Sequence, residues 1–298
     1  MYRFRDGQPT VWFHRKRDDS NRYCLYCGED LSAESVRSTK EHLIGREFVP
    51  TGTLEGTAFN FLFRSCEGCN SRKGHLERHV STVTLYVSPA RAGSARIDQL
   101  ARRKALKDFH HKKRVQVSDA GERHTILANL GGVAGTFGLI APPQLDPRMS
   151  AELACRQIQG FFSLLTSTNP TTLEETRLLP PERVFCDGAH HSRDWGSPRL
   201  LEVVRRVQSW RRLGVVTTAQ GFFRAEFRRD EERTGQWFWA LEWNKSTRIL
   251  GVIASPGEPR SLFEDLPSVG WMPLGTGARI RVEVPLRDES ADLLFRDE

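Results

Sequence analysis

The chain has 298 residues, 38% of them hydrophobic, which is enough for two domains or for one domain with large additions. Its net charge of +7 and isoelectric point of about 9.3 suit a polyanionic partner. No apolar run approaches about 18 residues and the first residues lack a signal-peptide segment, so we expect no membrane span and a reducing, cytoplasmic location.

Two Cys-x-x-Cys pairs, Cys24 with Cys27 and Cys66 with Cys69, stand out in the first ninety residues. This spacing lets two thiolates reach one ion, and four such ligands form the tetrahedral site of a structural Zn²⁺. Disulfides or free thiols are the alternative, but Cys-x-x-Cys pairs in a reducing compartment favour the metal. The sequence therefore predicts a zinc site.

Chemistry-bearing residues lie between and beside the two pairs. The pattern predicts a strand or loop that reaches Glu41-His42, a second strand over Phe59–Arg64 and a helix from near Cys66 to about Thr84. In such a helix Asn70 and Lys73 share one face.

Together these residues resemble the HNH endonuclease family in its zinc-stapled ββα-metal, or treble-clef, form. The family pattern is Cys-x-x-Cys, an acidic residue with His, an Asn, and then Cys-x-x-Cys-Asn-x-x-Lys. The matching positions of this chain are Cys24, Cys27, Glu41, His42, Asn60, Cys66, Cys69, Asn70 and Lys73. The chain departs from the pattern at Glu41, where Asp is frequent, at Gly45, where many relatives carry Pro, and in the spacing of Asn60.

The resemblance implies a metal-dependent nuclease site separate from the zinc. His42 would be the general base, because an imidazole titrates near neutral pH. Glu41 and Asn70 would bind Mg²⁺ or Mn²⁺ through hard oxygens. Asn60 would hold the His-bearing loop, and the ammonium of Lys73 would meet the phosphate.

The helix after Cys66 carries His75 and His79 at positions i and i+4. This spacing can bind a metal, but the four cysteines already complete one site, so we prefer surface or phosphate-contacting roles for both.

Residues 91–114 carry nine basic and two acidic residues, a net charge of +7 that equals that of the whole chain. Ile97, Leu100, Ala101, Leu106 and Phe109 give an irregular helical stripe, with Asp98 as a cap. The segment is either a solvated amphipathic helix or a helix laid along phosphates, and its position beside the cysteine module favours the second. The expected contacts to nucleic acid are Arg102, Arg103, Lys104, Lys107, Lys112, Lys113 and Arg114.

The remaining residues predict a mixture of helices and antiparallel strands. A hairpin is expected from Val115–Val117 and Thr125–Leu130, and helices at Ser150–Thr166 and from Ser197-Pro198 onward. Period-two alternation over residues 223–254 indicates an antiparallel meander, whose tryptophans are core residues or, if exposed, a platform for unpaired bases.

Asp187–His191 is expected to be a polar surface loop. A second metal site from Asp187, His190, His191 and Asp194 is the weaker alternative.

The predicted fold is therefore α+β: an HNH module with structural zinc (residues 1–90), a basic helical connector (91–114) and an α+β accessory domain with an antiparallel sheet (115–298). The expected function is metal-dependent DNA cleavage, with DNA rather than RNA as the partner, in a setting such as restriction or phage defence with other proteins. The alternatives are a catalytically silent, zinc-stabilised nucleic-acid-binding protein and an adaptor. A silent binder needs the cysteines and the basic helix, but not Glu41, His42 and Asn70.

Overall fold

The computed structural model describes residues 2–4, 16, 20–54, 61–110, 112–130, 133–167, 177–232, 234–258, 260–274 and 278–296. Across these residues the chain is α+β, with four α-helices and a mainly antiparallel sheet, as predicted. The elements are β1 (Tyr2–Phe4), β2 (Ser38–His42), β3 (Leu62–Cys66), α1 (Glu67–Tyr86), α2 (Ala95–Lys107), β4 (Glu122–Leu130), β5 (Val133–Ala141), α3 (Pro147–Thr166), β6 (Val184–His191), α4 (Pro198–Arg206), β7 (Arg211–Thr218), β8 (Phe223–Arg229), β9 (Trp237–Trp243), β10 (Thr247–Ile253), β11 (Trp271–Leu274) and β12 (Ala278–Arg281). No helix within these ranges is both long enough and apolar enough to cross a bilayer.

A hairpin followed directly by a helix forms the N-terminal part. Strands β2 and β3 are antiparallel, with Glu41 opposite Phe63 and His42 opposite Leu62. Cys66 ends β3 and is also the N-cap residue of α1, in an extended conformation that turns the chain into the helix. The predicted helix is confirmed, and its junction with β3 places two cysteines beside the hairpin.

The largest element is a six-stranded sheet in the order β1-β7-β8-β9-β10-β6. All neighbours are antiparallel except β1 and β7, so the predicted meander of β8, β9 and β10 is confirmed. Period-two alternation gives the sheet two apolar faces. Trp239 and Trp243 pack on one face and Phe238 on the other, all excluded from solvent. These two tryptophans are therefore core residues and not a base-stacking platform.

Helix α3 lies between the N-terminal hairpin and the sheet. The side chain of Asp146 accepts hydrogen bonds from the first free N–H groups of the helix, and Pro147 occupies its first position. Phe161 contacts the rings of Phe61 on one side and Phe227 on the other, with centroids 5.5 and 5.3 Å away. A Cβ on Gly160 would lie 2.4 Å from the end of the Leu43 side chain, so a larger residue here would displace that leucine.

One hydrophobic core joins the N-terminal hairpin and helix to the six-stranded sheet. It runs from Cys24 through α1 and α3 to Ile253 in β10. Polar contacts reinforce the junction: Asn244 donates to the Thr84 hydroxyl at 2.8 Å, and Ser246 donates to the Thr84 carbonyl at 2.7 Å. The segment boundaries at residues 90 and 114 stay predictions, but they do not separate two hydrophobic cores.

The second face of the sheet is covered by α4 and the C-terminal segment. Ser197 caps α4 through its hydroxyl, and Pro198 begins the helix, as predicted. Arg248, almost fully buried, lies between Glu242 at 2.9 Å and Asp292 at 2.5 Å. A charged pair buried in this way is weak evidence for stability, but it fixes where the C-terminal segment lies.

Three local predictions were wrong. The strand predicted at Val115–Val117 does not form; the hairpin consists of β4 and β5 instead. The cap of α2 is Ser94, whose hydroxyl accepts from the Ile97 N–H, and not Asp98. The predicted loop Asp187–His191 belongs to β6, because its backbone pairs with β10.

Candidate metal and active site

The four cysteines converge at one point. Their sulfur atoms all lie within 4.8 Å of one another, and the Sγ atoms of Cys27 and Cys66 are 3.7 Å apart. A tetrahedral zinc site with Zn–S distances of about 2.3 Å needs sulfurs about 3.8 Å apart, whereas a disulfide needs about 2.05 Å. The cluster is therefore compatible with a structural zinc ion. It is also the one such metal-ligand group among the residues described, so the alternative site around His190 is not supported.

Local backbone geometry produces the first knuckle. The Gly28 N–H donates to the Cys24 carbonyl at 2.8 Å, and the turn leaves Gly28 at φ +76°, a conformation that favours glycine. Hydrogen bonds from Cys69 and from backbone N–H groups lower the pKa of Cys24 to about 5, while burial raises the pKa of Cys66 to about 12. A bound divalent ion favours thiolates and would lower the pKa of Cys66.

Helix α3 contributes Arg156, a residue that was not predicted to lie at this site. The guanidinium of Arg156 lies close enough to the Cys69 thiol that the two interact, and it is 3.2 Å from Glu152, which itself pairs with Arg72 of α1 at 2.5 Å. Four thiolates around one Zn²⁺ leave two negative charges, and a guanidinium beside them offsets part of this excess. No motif signals this contact, because α3 is about eighty residues away in sequence.

A cleft of about 590 Å³ lies between the hairpin and α1. Glu41 and His42 from β2 line it together with Asn70 from α1, so the structure brings these three predicted residues together. The amide nitrogen of Asn70 donates to the Thr39 hydroxyl at 2.6 Å, which fixes the side chain at the cleft. Asn60, the other predicted site residue, lies outside the described residues.

Lys73 is in a different place from the one predicted. Its side chain is 1% exposed, and its ammonium lies 2.6 Å from Glu41 and 2.5 Å from Glu77 and donates to the His42 carbonyl at 2.8 Å. The prediction that Lys73 meets a phosphate is therefore corrected. Helix α1 turns this position toward the hairpin, where two carboxylates compensate for the desolvation of the ammonium.

Both described contacts of the Glu41 carboxylate use the same oxygen. The Tyr26 hydroxyl donates to Oε1 at 3.1 Å, and Lys73 is paired with Oε1. Among the described contacts, none involves Oε2. Beside it, Glu77 is a second carboxylate of the cleft, with a pKa raised chiefly by burial.

Gly45 accommodates Glu77. A Cβ at position 45 would lie 2.1 Å from the Glu77 carboxyl group, so any larger residue would displace that carboxylate. Position 45 is the one at which many HNH relatives carry proline, and the place of Glu77 in the cleft was not predicted from the sequence. The i, i+4 spacing of Lys73 and Glu77 was the available signal.

His42 is partly buried and surrounded by cations. Burial lowers its pKa to about 4, with further lowering by Arg46, Lys40 and Lys73. The imidazole is consequently neutral at neutral pH, which is the form that accepts a proton.

The predicted basic residues divide into two groups. Arg102, Arg103, Lys107, Lys112, Lys113 and Arg114 are exposed. Lys104 is less accessible to nucleic acid, because its ammonium donates to Ser81 at 2.6 Å and pairs with Glu47 at 2.5 Å.

The expected apolar stripe is also corrected: Ile97, Ala101 and Ala105 are buried, while Leu106 and Phe109 are largely exposed. His79, expected at the surface, is buried, whereas His75 is exposed.

Comparison of the chain with models of protein families, with curated proteins and with solved structures gave no match. What supports a function is therefore the geometry of the cleft and of the cysteine cluster.

Proposed function

We propose that this protein is a metal-dependent endonuclease of the HNH type, stapled by a structural zinc ion. One observation carries the proposal: a hairpin and helix joined at a four-cysteine cluster bring Glu41, His42 and Asn70 to one cleft. These are the residue types that phosphodiester hydrolysis needs, namely a neutral imidazole and hard oxygen donors.

Each residue of the cleft has a separate role in the proposed hydrolysis. His42 is neutral, because burial and nearby cationic side chains lower its pKa. In this form it takes a proton from the attacking water. Glu41 through Oε2 and Asn70 through its amide oxygen would hold Mg²⁺ or Mn²⁺, which when bound neutralises charge developing on the phosphate. Tyr26 and Lys73 orient Glu41 through its other oxygen. Arg46 lines the same cleft and adds positive charge that attracts a phosphate.

A second candidate function is nucleic-acid binding without cleavage. The buried ammonium of Lys73 already neutralises part of the Glu41 charge, which weakens the pull of that carboxylate on a divalent ion. In this case the zinc and the exposed basic residues would carry the whole function.

A supercoiled-plasmid assay with the zinc-loaded full-length chain separates the two candidates. Magnesium or manganese is added or omitted, without EDTA, because a chelator would also remove structural zinc. We expect cutting only with the added ion, and a loss of about 10²- to 10⁴-fold in His42→Ala. His124→Ala is the matched control, since His124 is exposed on β4 and outside the cleft.

Zinc content and melting temperature must match between His42→Ala and the wild type. If His42→Ala cuts as fast as the wild type, the proposed general base is wrong. If the wild type binds DNA but cuts with neither ion, the silent binder is the correct function.

A further inference from the structure

The cleft described above continues into a second one along α1. The second cleft has a volume of about 480 Å³, and it shares His75 and Arg78 with the first. These two residues are three positions apart in α1, so they lie on one face of the helix and form the floor between the clefts. The two together make one groove, which begins at Glu41 and His42 and ends at Arg114.

The far end of the groove pairs an aromatic ring with arginines. Phe109 is 60% exposed and lines the second cleft together with Arg78, Arg114 and Met149. Unpaired bases stack on an exposed ring of this kind, and guanidinium groups in the same cleft can bind their phosphates.

The segment that presents Phe109 is ordered by its own backbone. Phe109 forms a bridge with Gln116, and His110 donates its N–H to the Val115 carbonyl at 2.8 Å. The ring of His110 accepts from the N–H groups of Lys112 and Lys113, and Arg114 adopts a φ of +52° that non-glycine residues rarely take. These contacts give the segment that carries the exposed ring of Phe109 a defined structure. Exposed apolar surface of this kind marks binding sites.

The charge of the groove suits a polyanion. Arg46, Arg78 and Arg114 line its length. Of the acidic residues in the first cleft, Glu41 and Glu77 pair with the buried ammonium of Lys73, and Glu47 pairs with Lys104. Asp108 is the acidic residue of the second cleft, and a carboxylate can accept a hydrogen bond from a base amino group.

We propose that the second cleft is a subsite for an unpaired nucleotide next to the scissile phosphate. Its base stacks on Phe109, and the phosphates on either side contact Arg78 and Arg114. The base must be unpaired, because a ring face inside a duplex is covered by its neighbours. The subsite rests on the proposed nuclease function for its position in the reaction, but not for binding itself.

Binding of a fluorescent single-stranded DNA of about 15 nucleotides tests the subsite in the full-length protein, without magnesium or manganese. We expect Phe109→Ala to weaken binding by about 5- to 150-fold, with Phe109→Tyr close to wild type and Phe109→Leu weakened. Arg114→Ala should reduce the slope of log affinity against log salt by about 0.7.

Two control variants remove an exposed aromatic ring and an exposed arginine outside the groove. Trp271→Ala deletes an aromatic side chain that is 50% exposed on β11, and Arg229→Ala deletes an exposed arginine at the end of β8. Neither residue lines the groove, and neither substitution should change affinity more than twofold. Matching melting temperatures show that each variant is folded.

Equal affinity of wild type and Phe109→Ala overturns the proposal, as does a wild type that does not bind the strand. Failure of the subsite and failure of the nuclease function give different results. If the wild type cuts plasmid and Phe109→Ala binds and cuts equally well, the subsite alone is wrong. If Phe109→Ala weakens binding but the wild type does not cut, the nuclease function is wrong and the binding site remains.

Discussion

The ammonium of Lys73 lies 2.6 Å from the carboxylate of Glu41, and both side chains are at most 4% exposed. Lys73 also pairs with Glu77, so one cation holds two carboxylates beneath the cleft. This small buried cluster connects the stability of the N-terminal module with the geometry of Glu41, the proposed metal ligand.

Removing the Lys73 charge should therefore destabilise the protein strongly. Lys73→Met keeps most of the volume but leaves Glu41 and Glu77 buried without their cation, which costs about 3–5 kcal/mol. Urea unfolding of the zinc-loaded protein measures the loss. Lys107→Met, at an exposed position of α2, is the control and should lie within about 0.5 kcal/mol of wild type. Similar losses in both variants would mean that the cluster contributes no stability of its own.

Two glycines of the cleft should respond to alanine with opposite signs. Gly45→Ala places a methyl group against the Glu77 carboxyl, so we expect a loss of about 1–3 kcal/mol from overpacking. Gly74→Ala meets open space within α1, so we expect a gain of up to about 1 kcal/mol from helix propensity. Thermal melting of both variants decides the matter. A neutral Gly45→Ala would show that Glu77 has room to move.

Two single cysteine substitutions, one inside the four-cysteine cluster and one outside it, test the zinc prediction. Cys24→Ser should lose the ion and most of the folded population, because binding of zinc is coupled to folding. Cys155→Ser, outside the cluster, should retain one zinc per chain. Zinc is measured by metal analysis, and folding by circular dichroism. Full retention of zinc by Cys24→Ser would remove Cys24 from the ligand set.

The pKa of His42 predicts a direction of pH dependence. An unfolded imidazole takes up its proton near pH 6.5, whereas folded His42 does so near pH 4. The unfolded state therefore binds more protons in this interval, and His42 reduces stability as the pH falls from about 6.5 to about 4. Imidazole NMR signals, recorded without magnesium or manganese, report the titration directly. A His42 midpoint at or above pH 6.5 would contradict the prediction.

Local patterns in the sequence predicted much of the fold. The cap and proline at the start of α4, the alternation of β8 to β10 and the cysteine spacing all act over short distances, and the structure contains each of them. The burial of Lys73 was not predictable in this way, because its partner Glu41 comes from another element and a lysine on a helix is usually solvated. The same holds for β6, whose polar residues form a strand only because β10 pairs with them.

The shared core has a consequence for how the chain is made. Its N-terminal members are synthesised first, yet the core that begins at Cys24 includes Ile253 of β10. At about 5–20 residues per second, the ribosome needs on the order of ten seconds or more after the cysteine module has emerged before that last strand can join. The cleft beside the cysteine cluster therefore acquires its final support only after β10 has been synthesised, which delays the appearance of a finished site until that strand has joined the core.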